Sequence, residues 1–317
     1  MAAIETSGLT KQYDALTAVD SLDLAVDREV FGLLGPNGSG KTTTVLMLTT
    51  LLRPTRGSAR VCGHDVVDRS AEVRERISYV PQDMAVDIKL TGRENVRFYA
   101  RLYGVDDKDL VDEVLGVMDL ADRADDLVRT YSGGMRRRLE LAQALVHDPE
   151  VLFLDEPTIG LDVAGRQAIW NHIGALRRRG MTIFVTTHYM DEADRACDRV
   201  GIIAKGRLVA VDTPLALRHR LDGERIAIET DRPVGPVVAD GLRLVGVEGE
   251  RQVYHAPDAA DVLPALLSGL AARGARVQSL EVQAPTLDDV FLALAGRQDD
   301  GGAFDFQRFR TMLRRRG

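Results

Sequence analysis

The run "FGLLGPNGSGKTTT" at residues 31–44 constrains the fold of this chain more than any other feature. Its apolar opening indicates a buried strand, its middle is rich in glycine, and apolar residues at helical spacing follow it. The spacing G-x-x-x-x-G-K-[ST] is that of a phosphate-binding loop, whose backbone N–H groups cradle an anion. The alternative is an ordinary turn, which the strand–loop–helix context disfavours. The chain is therefore predicted to bind ATP or GTP.

The residue types in this loop suit a phosphate site. Glycine permits the tight backbone curvature, and the helix start adds unpaired N–H donors and the positive end of its dipole. Lys41 is expected to reach the outer phosphates, and the Thr42 hydroxyl is expected to hold Mg²⁺. The residues predicted to contact the nucleotide are Gly35, Asn37, Gly38, Ser39, Gly40, Lys41, Thr42 and Thr43.

Length and composition limit the classes of protein that need consideration. A chain of 317 residues suits one large domain or two unequal ones. The net charge of −7 argues against a nucleic-acid binder with a broad basic surface. Cys62 and Cys197 lie far apart and form no CxxC, which favours a reducing cytosolic compartment. We find no apolar run of about 18 residues and no signal peptide, so any membrane role is expected to come through a partner.

The pattern along the chain predicts an α/β fold followed by a smaller domain. Near its start, "ARVCGHDV" is predicted to be one strand. "VLFLDEP" and "MTIFVTTH" are typical of strands buried on both faces of a parallel sheet, joined by a crossover helix that Gly180 closes. We predict a phosphate-loop NTPase domain over 1–216, with a helical subdomain at about 84–147, and a small α+β domain over 217–297. Residues 298–317 are predicted to be a linker and a basic tail. The tail either lies on an anionic membrane surface or docks on a partner, and the alternative is a frayed terminus.

Two further segments fit a phosphate site. Asp155 ends the apolar strand of "VLFLDEP" and can help to hold Mg²⁺, while Glu156 beside it can orient a water molecule for attack on the γ-phosphate. The alternative is a capping pair at a strand end. In "YSGGMRRRLELAQALVHDP", Ser132 occupies a helix N-cap position, and Gly133 and Gly134 leave the helix start bare of side chains. This segment is either a second anion site or a plainly capped helix.

Taken in order, these motifs resemble those of the ATP-binding subunits of ABC transporters over residues 1 to about 215. "SGGMRRR" resembles the family's signature sequence, "LDEPTIGLD" its second nucleotide motif with the D-loop, "VPQD" its Q-loop and "TTHYMDEAD" its switch loop. The resemblance implies that Gln82 contacts Mg²⁺ or the attacking water, that Glu156 is the general base and that His188 holds the γ-phosphate. For His188 the alternative is a structural histidine that follows a strand.

The resemblance also implies partners. Tyr13 in "TKQYDALTAV" matches the aromatic residue that stacks on adenine, although a half-buried strand tyrosine is an alternative. Asp162 would shape the contact with the opposite subunit, and Ser132 and Gly134 would complete the ATP site of a second copy. The implied assembly is a homodimer with ATP and Mg²⁺ at its interface. It would sit at the cytoplasmic face of the cell membrane through an integral membrane permease, without nucleic acid.

Two features resemble one branch of the family. Met135 stands where the signature usually has glutamine, and "PTLDDVFLALAG" at 285–296 resembles the closing motif of daunorubicin-resistance-type ATPase subunits. This implies an exporter of drugs or other hydrophobic compounds. One alternative is a soluble ABC-type ATPase acting on ribosomes or nucleic acid, which the single phosphate loop and the lack of sustained heptads disfavour. Another is a regulatory module without turnover, which is disfavoured by the presence of Lys41, Asp155, Glu156 and His188.

Overall fold

The structure, a computed structural model, describes residues 2–220 and 223–296. The chain divides after Pro214 into two compact units, which we call the nucleotide unit and the C-terminal unit. Within the described ranges, no helix combines the length and the apolar character needed to span a bilayer. The predicted basic tail at 298–317 lies outside the described residues.

Ten strands, seven α-helices and two short 3₁₀ turns build the described part of the nucleotide unit. The strands are β1 (Ile4–Tyr13), β2 (Leu16–Val26), β3 (Val30–Leu34), β4 (Arg56–Val61), β5 (His64–Asp65), β6 (Ile77–Val80), β7 (Val151–Asp155), β8 (Thr182–Thr187), β9 (Arg199–Ala204) and β10 (Arg207–Asp212). The helices are α1 (Lys41–Leu48), α2 (Ser70–Arg74), α3 (Gly92–Leu102), α4 (Lys108–Val117), α5 (Gly133–Leu145), α6 (Val163–Arg178) and α7 (Met190–Ala196).

A six-stranded sheet forms the centre of this unit, in the order β10-β9-β3-β8-β7-β6. All its neighbours pair in parallel except β10, which runs antiparallel to β9 at one edge. Every residue of β3, β7 and β8 is buried, which confirms the prediction of strands covered on both faces. Phe184 packs against Phe31 and Phe153 inside the core, with ring centroids 5.4 and 5.6 Å apart. The carboxyl ends of these parallel strands meet at one edge, where the predicted site residues follow.

A second sheet, β2-β1-β4-β5, is antiparallel and packs on the same core. The run "ARVCGHDV", which the pattern predicts as one strand, is two strands in the structure. Cys62 and Gly63 both adopt positive φ, at 51° and 77°, so the chain turns after Val61 and β5 pairs back onto β4. The prediction of one strand was wrong because a non-glycine residue takes the left-handed conformation that a tight turn requires.

Four helices of this unit, α3 to α6, begin at capping residues that the sequence supplies. Thr91 and Glu94 form a capping box at the start of α3, and the side chains of Asp107, Ser132 and Asp162 cap α4, α5 and α6. Helix α6 is the predicted crossover between β7 and β8. Gly180, two residues beyond its end, has a φ of +94°, as expected for a closing glycine.

The C-terminal unit is a small α+β structure, as the sequence predicts. After helix α8 (Pro214–His219), its elements are β11 (Glu224–Thr230), β12 (Arg243–Glu248), β13 (Arg251–Ala256), α9 (Ala259–Ala272), β14 (Val277–Gln283) and α10 (Leu287–Gly296). The strands form an antiparallel sheet in the order β12-β13-β11-β14. Ile226, Ile228 and Tyr254 on the sheet pack with Leu266 and Leu270 of α9 to form its core.

Candidate active site

The phosphate loop connects β3 to α1 at the carboxyl edge of the central sheet. Gly38 and Gly40 adopt φ values of +80° and +106°, which side chains rarely tolerate. A Cβ atom on Gly35 would lie 2.4 Å from the carbonyl oxygen of Ile203, and one on Gly40 would lie 2.5 Å from that of Ala18. The close approach of backbone to backbone therefore explains why glycine is required at both ends of the loop.

The start of α1 is suited to an anion. No side chain caps this helix, and its first turn contains no acidic residue. The hydroxyl of Ser39 is buried and has no hydrogen-bond partner among the described residues. A phosphate oxygen would satisfy both the hydroxyl and the free N–H groups. Asn37 and Thr42 are exposed beside them, and Thr43 is partly buried.

Lys41 lies at the bottom of the loop, and its side chain is 5% exposed. Its Nζ atom donates to the carbonyl oxygens of Gly35 and Pro36, at 2.8 and 3.2 Å. The same atom lies 3.4 Å from Oε1 of Glu156. Burial lowers the pKa of Lys41, and the charge of Glu156 opposes this effect.

Glu156 follows β7 and is held in an unusual backbone conformation, with a φ of +47°. Its N–H group donates to the carbonyl oxygen of Thr186 at 3.1 Å and to the Thr186 hydroxyl at 3.0 Å. Its Oε2 atom lies 3.0 Å from Nδ1 of His188. Burial raises the pKa of Glu156, but His188 and Lys41 outweigh it and hold the pKa below that of an ordinary glutamate. The structure therefore brings Lys41, Glu156 and His188 together, with a carboxylate between two nitrogen groups.

Asp155 lies beside this group, at the end of β7. It is buried, and its carboxylate accepts a hydrogen bond from the hydroxyl of Thr186. The described residues contain no group of three or more His, Cys, Asp or Glu side chains that could hold a metal alone. The Asp155 carboxylate and the Thr42 hydroxyl are nevertheless oxygen donors of the kind that Mg²⁺ takes together with substrate phosphates. The site fits Mg²⁺ bound with a nucleotide, not a metal bound by protein alone.

Gln82 and Tyr13 lie on the surface. Gln82 is exposed two residues after β6, and Tyr13 is 43% exposed at the end of β1. The Nζ atom of Lys11 lies 5.1 Å from the centroid of the Tyr13 ring. No hydrogen bond or ion pair among the described residues joins Gln82 or Tyr13 to Lys41 or Glu156.

The signature residues form a separate place on the nucleotide unit. Ser132 is exposed, and its hydroxyl accepts from the N–H group of Met135 at 3.2 Å. Together with Gly133, Gly134, Gly160 and Asp162 it lines a groove between the starts of α5 and α6, which we call the signature groove. The Asp162 carboxylate accepts from the Gly165 N–H group at 2.7 Å. No hydrogen bond in the described part of the chain connects Ser132 with the phosphate loop.

Sequence reasoning missed two residues that shape the site. Thr186 binds both Asp155 and the backbone of Glu156, although a threonine near the end of an apolar strand gave no signal of this. Arg137 is buried and contacts the backbone on both sides of Glu156. Arg137 stands within a run of three arginines, a pattern typical of a solvated helix face. Its burial was therefore not predicted.

Comparison with known proteins decides the family. A family model described as "ABC transporter" matches residues 20–159, and one described as "ATP-binding protein DrrA1-3-like, C-terminal domain" matches residues 213–295. The chain is 42% identical over 303 residues to the daunorubicin resistance ATP-binding protein DrrA3 of Streptomyces coeruleorubidus, with 93% of this chain and 96% of that protein covered. This chain belongs to the DrrA-type ABC transporter ATP-binding proteins.

Other relatives agree with this assignment. The DrrA-type chain is 35% identical to the linearmycin resistance ATP-binding protein LnrL of Bacillus subtilis, over 93% of this chain and 98% of that one. A solved structure described as the ATP-binding subunit of an ABC transporter is 27% identical, with a TM-score of 0.62, over 69% of this chain and 92% of that one. The resemblance drawn from the motifs is confirmed, including its branch. The protein is the ATP-binding, ATP-hydrolysing subunit of an ABC transporter.

Proposed function

We propose that this DrrA-type ATPase drives a separate membrane permease that exports a drug or another hydrophobic compound. The observation that carries the proposal is the match along nearly the whole chain, including the C-terminal unit, to a protein named for daunorubicin resistance. LnrL, named for linearmycin resistance, supports the same class of cargo. The relatives' names give no support to the alternative of an ATPase acting on ribosomes or nucleic acid.

At the phosphate loop, we assign each residue a task in hydrolysis. Ser39, Lys41 and Thr43 bind the phosphates together with the backbone of Gly35, Asn37, Gly38 and Gly40, and Tyr13 stacks on adenine. Thr42, Gln82 and Asp155 hold Mg²⁺, which when bound offsets the phosphate charge.

Glu156 is proposed to accept the proton of the attacking water. Burial opposes the ionised form of Glu156, but His188 and Lys41 favour it and lower the pKa, and the ionised form is the one that can accept a proton. His188 is proposed to hold the γ-phosphate, and its 3.0 Å contact with Glu156 places it next to the base. Lys41 must exchange Glu156 for phosphate oxygens when the nucleotide enters, which frees the carboxylate.

The signature groove is proposed to bind the nucleotide of a second copy, so that ATP lies at the interface of a homodimer. Ser132, Gly133 and Gly134 present a hydroxyl and the positive end of the 13-residue helix α5, and they are open to solvent or partly so. Asp162 shapes the opposite wall. Among the described residues this groove makes no hydrogen bond to the chain's own phosphate loop, as a site shared with a second copy requires.

The surface around Gln82 is proposed to contact the permease, which would keep the subunit at the cytoplasmic face of the membrane. Apolar side chains are exposed after Gln82, on α3 and just past its end, namely Met84, Ile88, Phe98, Leu102 and Tyr103. Asp87 and Asn95 exchange two hydrogen bonds of 2.9 Å, which tie the loop to α3. Exposed apolar side chains on this loop and helix are the kind of surface that favours a protein partner.

The test of the shared site uses two inactive variants. Ser132→Arg should block the signature groove, and Lys41→Ala should weaken phosphate binding, so that each homodimer is inactive. A mixture contains heterodimers with one undamaged site and should regain ATPase activity. Activity no greater than the sum of the separate variants would contradict the dimer.

In the same assay Glu156→Gln should slow hydrolysis by about 10²–10⁴-fold, and near-normal turnover would remove Glu156 as the base.

A further inference from the structure

Arg137 lies on α5, five residues after Ser132, and its side chain is 3% exposed. A buried arginine is costly unless its guanidinium group is fully hydrogen-bonded, so its partners indicate why it is there. Its Nε, Nη1 and Nη2 atoms all donate hydrogen bonds. Three of the four acceptors are backbone carbonyl oxygens in other parts of the chain.

Two of these carbonyl groups flank Glu156. Nη2 of Arg137 donates to the carbonyl oxygen of Asp155 at 3.2 Å, and Nε donates to that of Pro157 at 3.0 Å. Glu156 between them has the positive φ that a glutamate rarely adopts. A strained conformation persists only where its surroundings fix it on several sides. Arg137 holds the carbonyl groups on both sides of Glu156, and the Thr186 hydroxyl accepts from the Glu156 N–H group.

The other contacts of Arg137 reach the loop that contains Gln82. Nη1 donates to the carbonyl oxygen of Pro81 at 2.7 Å, just before Gln82, and to Oε2 of Glu140 at 2.9 Å. The other oxygen of Glu140 accepts from the Ala85 N–H group at 2.6 Å. The Arg137–Glu140 pair therefore holds this loop on both sides of Gln82.

We propose that Arg137 is a positioning residue for hydrolysis. From helix α5 it holds two segments in place, namely the bend that contains Glu156 and the loop that contains Gln82. The inference rests on the proposed role of Glu156 as the base. Lysine would not replace it, because three carbonyl groups in two segments require the planar, five-donor guanidinium group. The simpler explanation is a buried ion pair that contributes to folding alone, and the experiment must separate the two.

The experiment measures steady-state ATPase kinetics of the full-length subunit. Arg137→Gln should lower kcat by about 10- to 100-fold, since small displacements of a reacting group cost that much, with KM for ATP changed less than about twofold. Arg137→Lys keeps the charge opposite Glu140 and should not restore kcat. The double change Arg137→Met with Glu140→Leu removes the ion pair without leaving a buried charge, so it should fold and show the same loss.

A control and a double-mutant cycle complete the test. Arg93 on α3 pairs with Asp112 and Asp125, away from the site, so Arg93→Gln should leave kcat unchanged. In a Glu156→Gln background, measured under single-turnover conditions, Arg137→Gln should cost clearly less than it does in the wild type, because one of the two groups that it positions is already gone and only the loop with Gln82 is left to misplace.

Three results would overturn the inference. They are wild-type kcat in the folded double variant, full rescue by Arg137→Lys, or a full additional loss in the Glu156→Gln background. The proposed base fails differently, through normal turnover of Glu156→Gln itself. The two failures can therefore be told apart.

Discussion

The Lys41–Glu156 ion pair predicts that a change made to stop hydrolysis also tightens nucleotide binding. The two charged groups lie 3.4 Å apart, and their side chains are 5% and 8% exposed. At an effective dielectric constant of about 20 they attract by about 5 kcal/mol, most of which offsets the cost of burying them. Removing one partner of a buried pair usually costs about 3–5 kcal/mol. Lys41 keeps two carbonyl acceptors, so we expect about 1.5–3 kcal/mol for Glu156→Gln.

This free energy should have opposite effects on the two states of the protein. The nucleotide-free variant loses the pair and should melt several degrees lower, since about 1 kcal/mol corresponds to roughly 2–4 °C in a unit of this size. In the nucleotide-bound variant, the phosphate supplies the negative charge that Lys41 has lost. The wild type must break the Lys41–Glu156 pair before Lys41 can bind the phosphate, and the variant does not. Nucleotide should therefore bind about ten- to a hundredfold more tightly to Glu156→Gln than to the wild type.

Isothermal titration with ADP, which excludes hydrolysis, measures the nucleotide affinity. Scanning calorimetry without nucleotide measures the melting temperature. The matched control is Glu150→Gln, at an exposed carboxylate that lies 3.2 Å from Arg76 and should change neither. Because the pKa of Glu156 is lowered in the folded protein, its stabilising effect is present above the usual glutamate pKa. It is lost as the pH falls through the folded value, so the difference in melting temperature should narrow in acid. Unchanged melting and unchanged ADP affinity at neutral pH would refute the reasoning.

Two further predictions concern the loop and the thiols. Gly40→Ala should abolish ADP binding in the same titration, because its Cβ would strike a carbonyl oxygen. In Gly38→Ala the Cβ meets no atom within 4 Å, so this variant should lose only about 1–2 kcal/mol to backbone strain. Equal losses of ADP affinity in the two variants would contradict the steric argument. Burial raises the pKa of Cys62 to about 11 and raises that of Cys197 further. A disulfide reagent at pH 8 should therefore label both thiols slowly in the native protein and quickly after unfolding. Rapid labelling of the native protein would contradict the burial of these thiols.

Much of the candidate site could be predicted because its signals are local. The phosphate loop depends on spacing within 14 residues. The meeting of Glu156 with His188 follows from parallel strands, whose carboxyl ends share one edge of the sheet. The direct contact of Lys41 with Glu156 was not predictable, since it depends on strand order and on the positive φ of Glu156. The roles assigned to these residues stay predictions, and so does that of Ser132, whose proposed ligand belongs to a second copy.

Arg137 shows most clearly what the sequence hides. Three consecutive arginines on a helix point in directions about 100° apart, so only one of them faces the core at a given depth. Arg136 and Arg138 are partly exposed, and Arg137 is buried. Glu140 at i+3 is compatible with an ordinary surface pair, and nothing in the local pattern distinguishes that from the buried pair in the structure. The deciding partners are carbonyl groups, which every residue carries and no sequence pattern marks. A residue that acts mainly through backbone carbonyl groups can therefore be identified only from the fold.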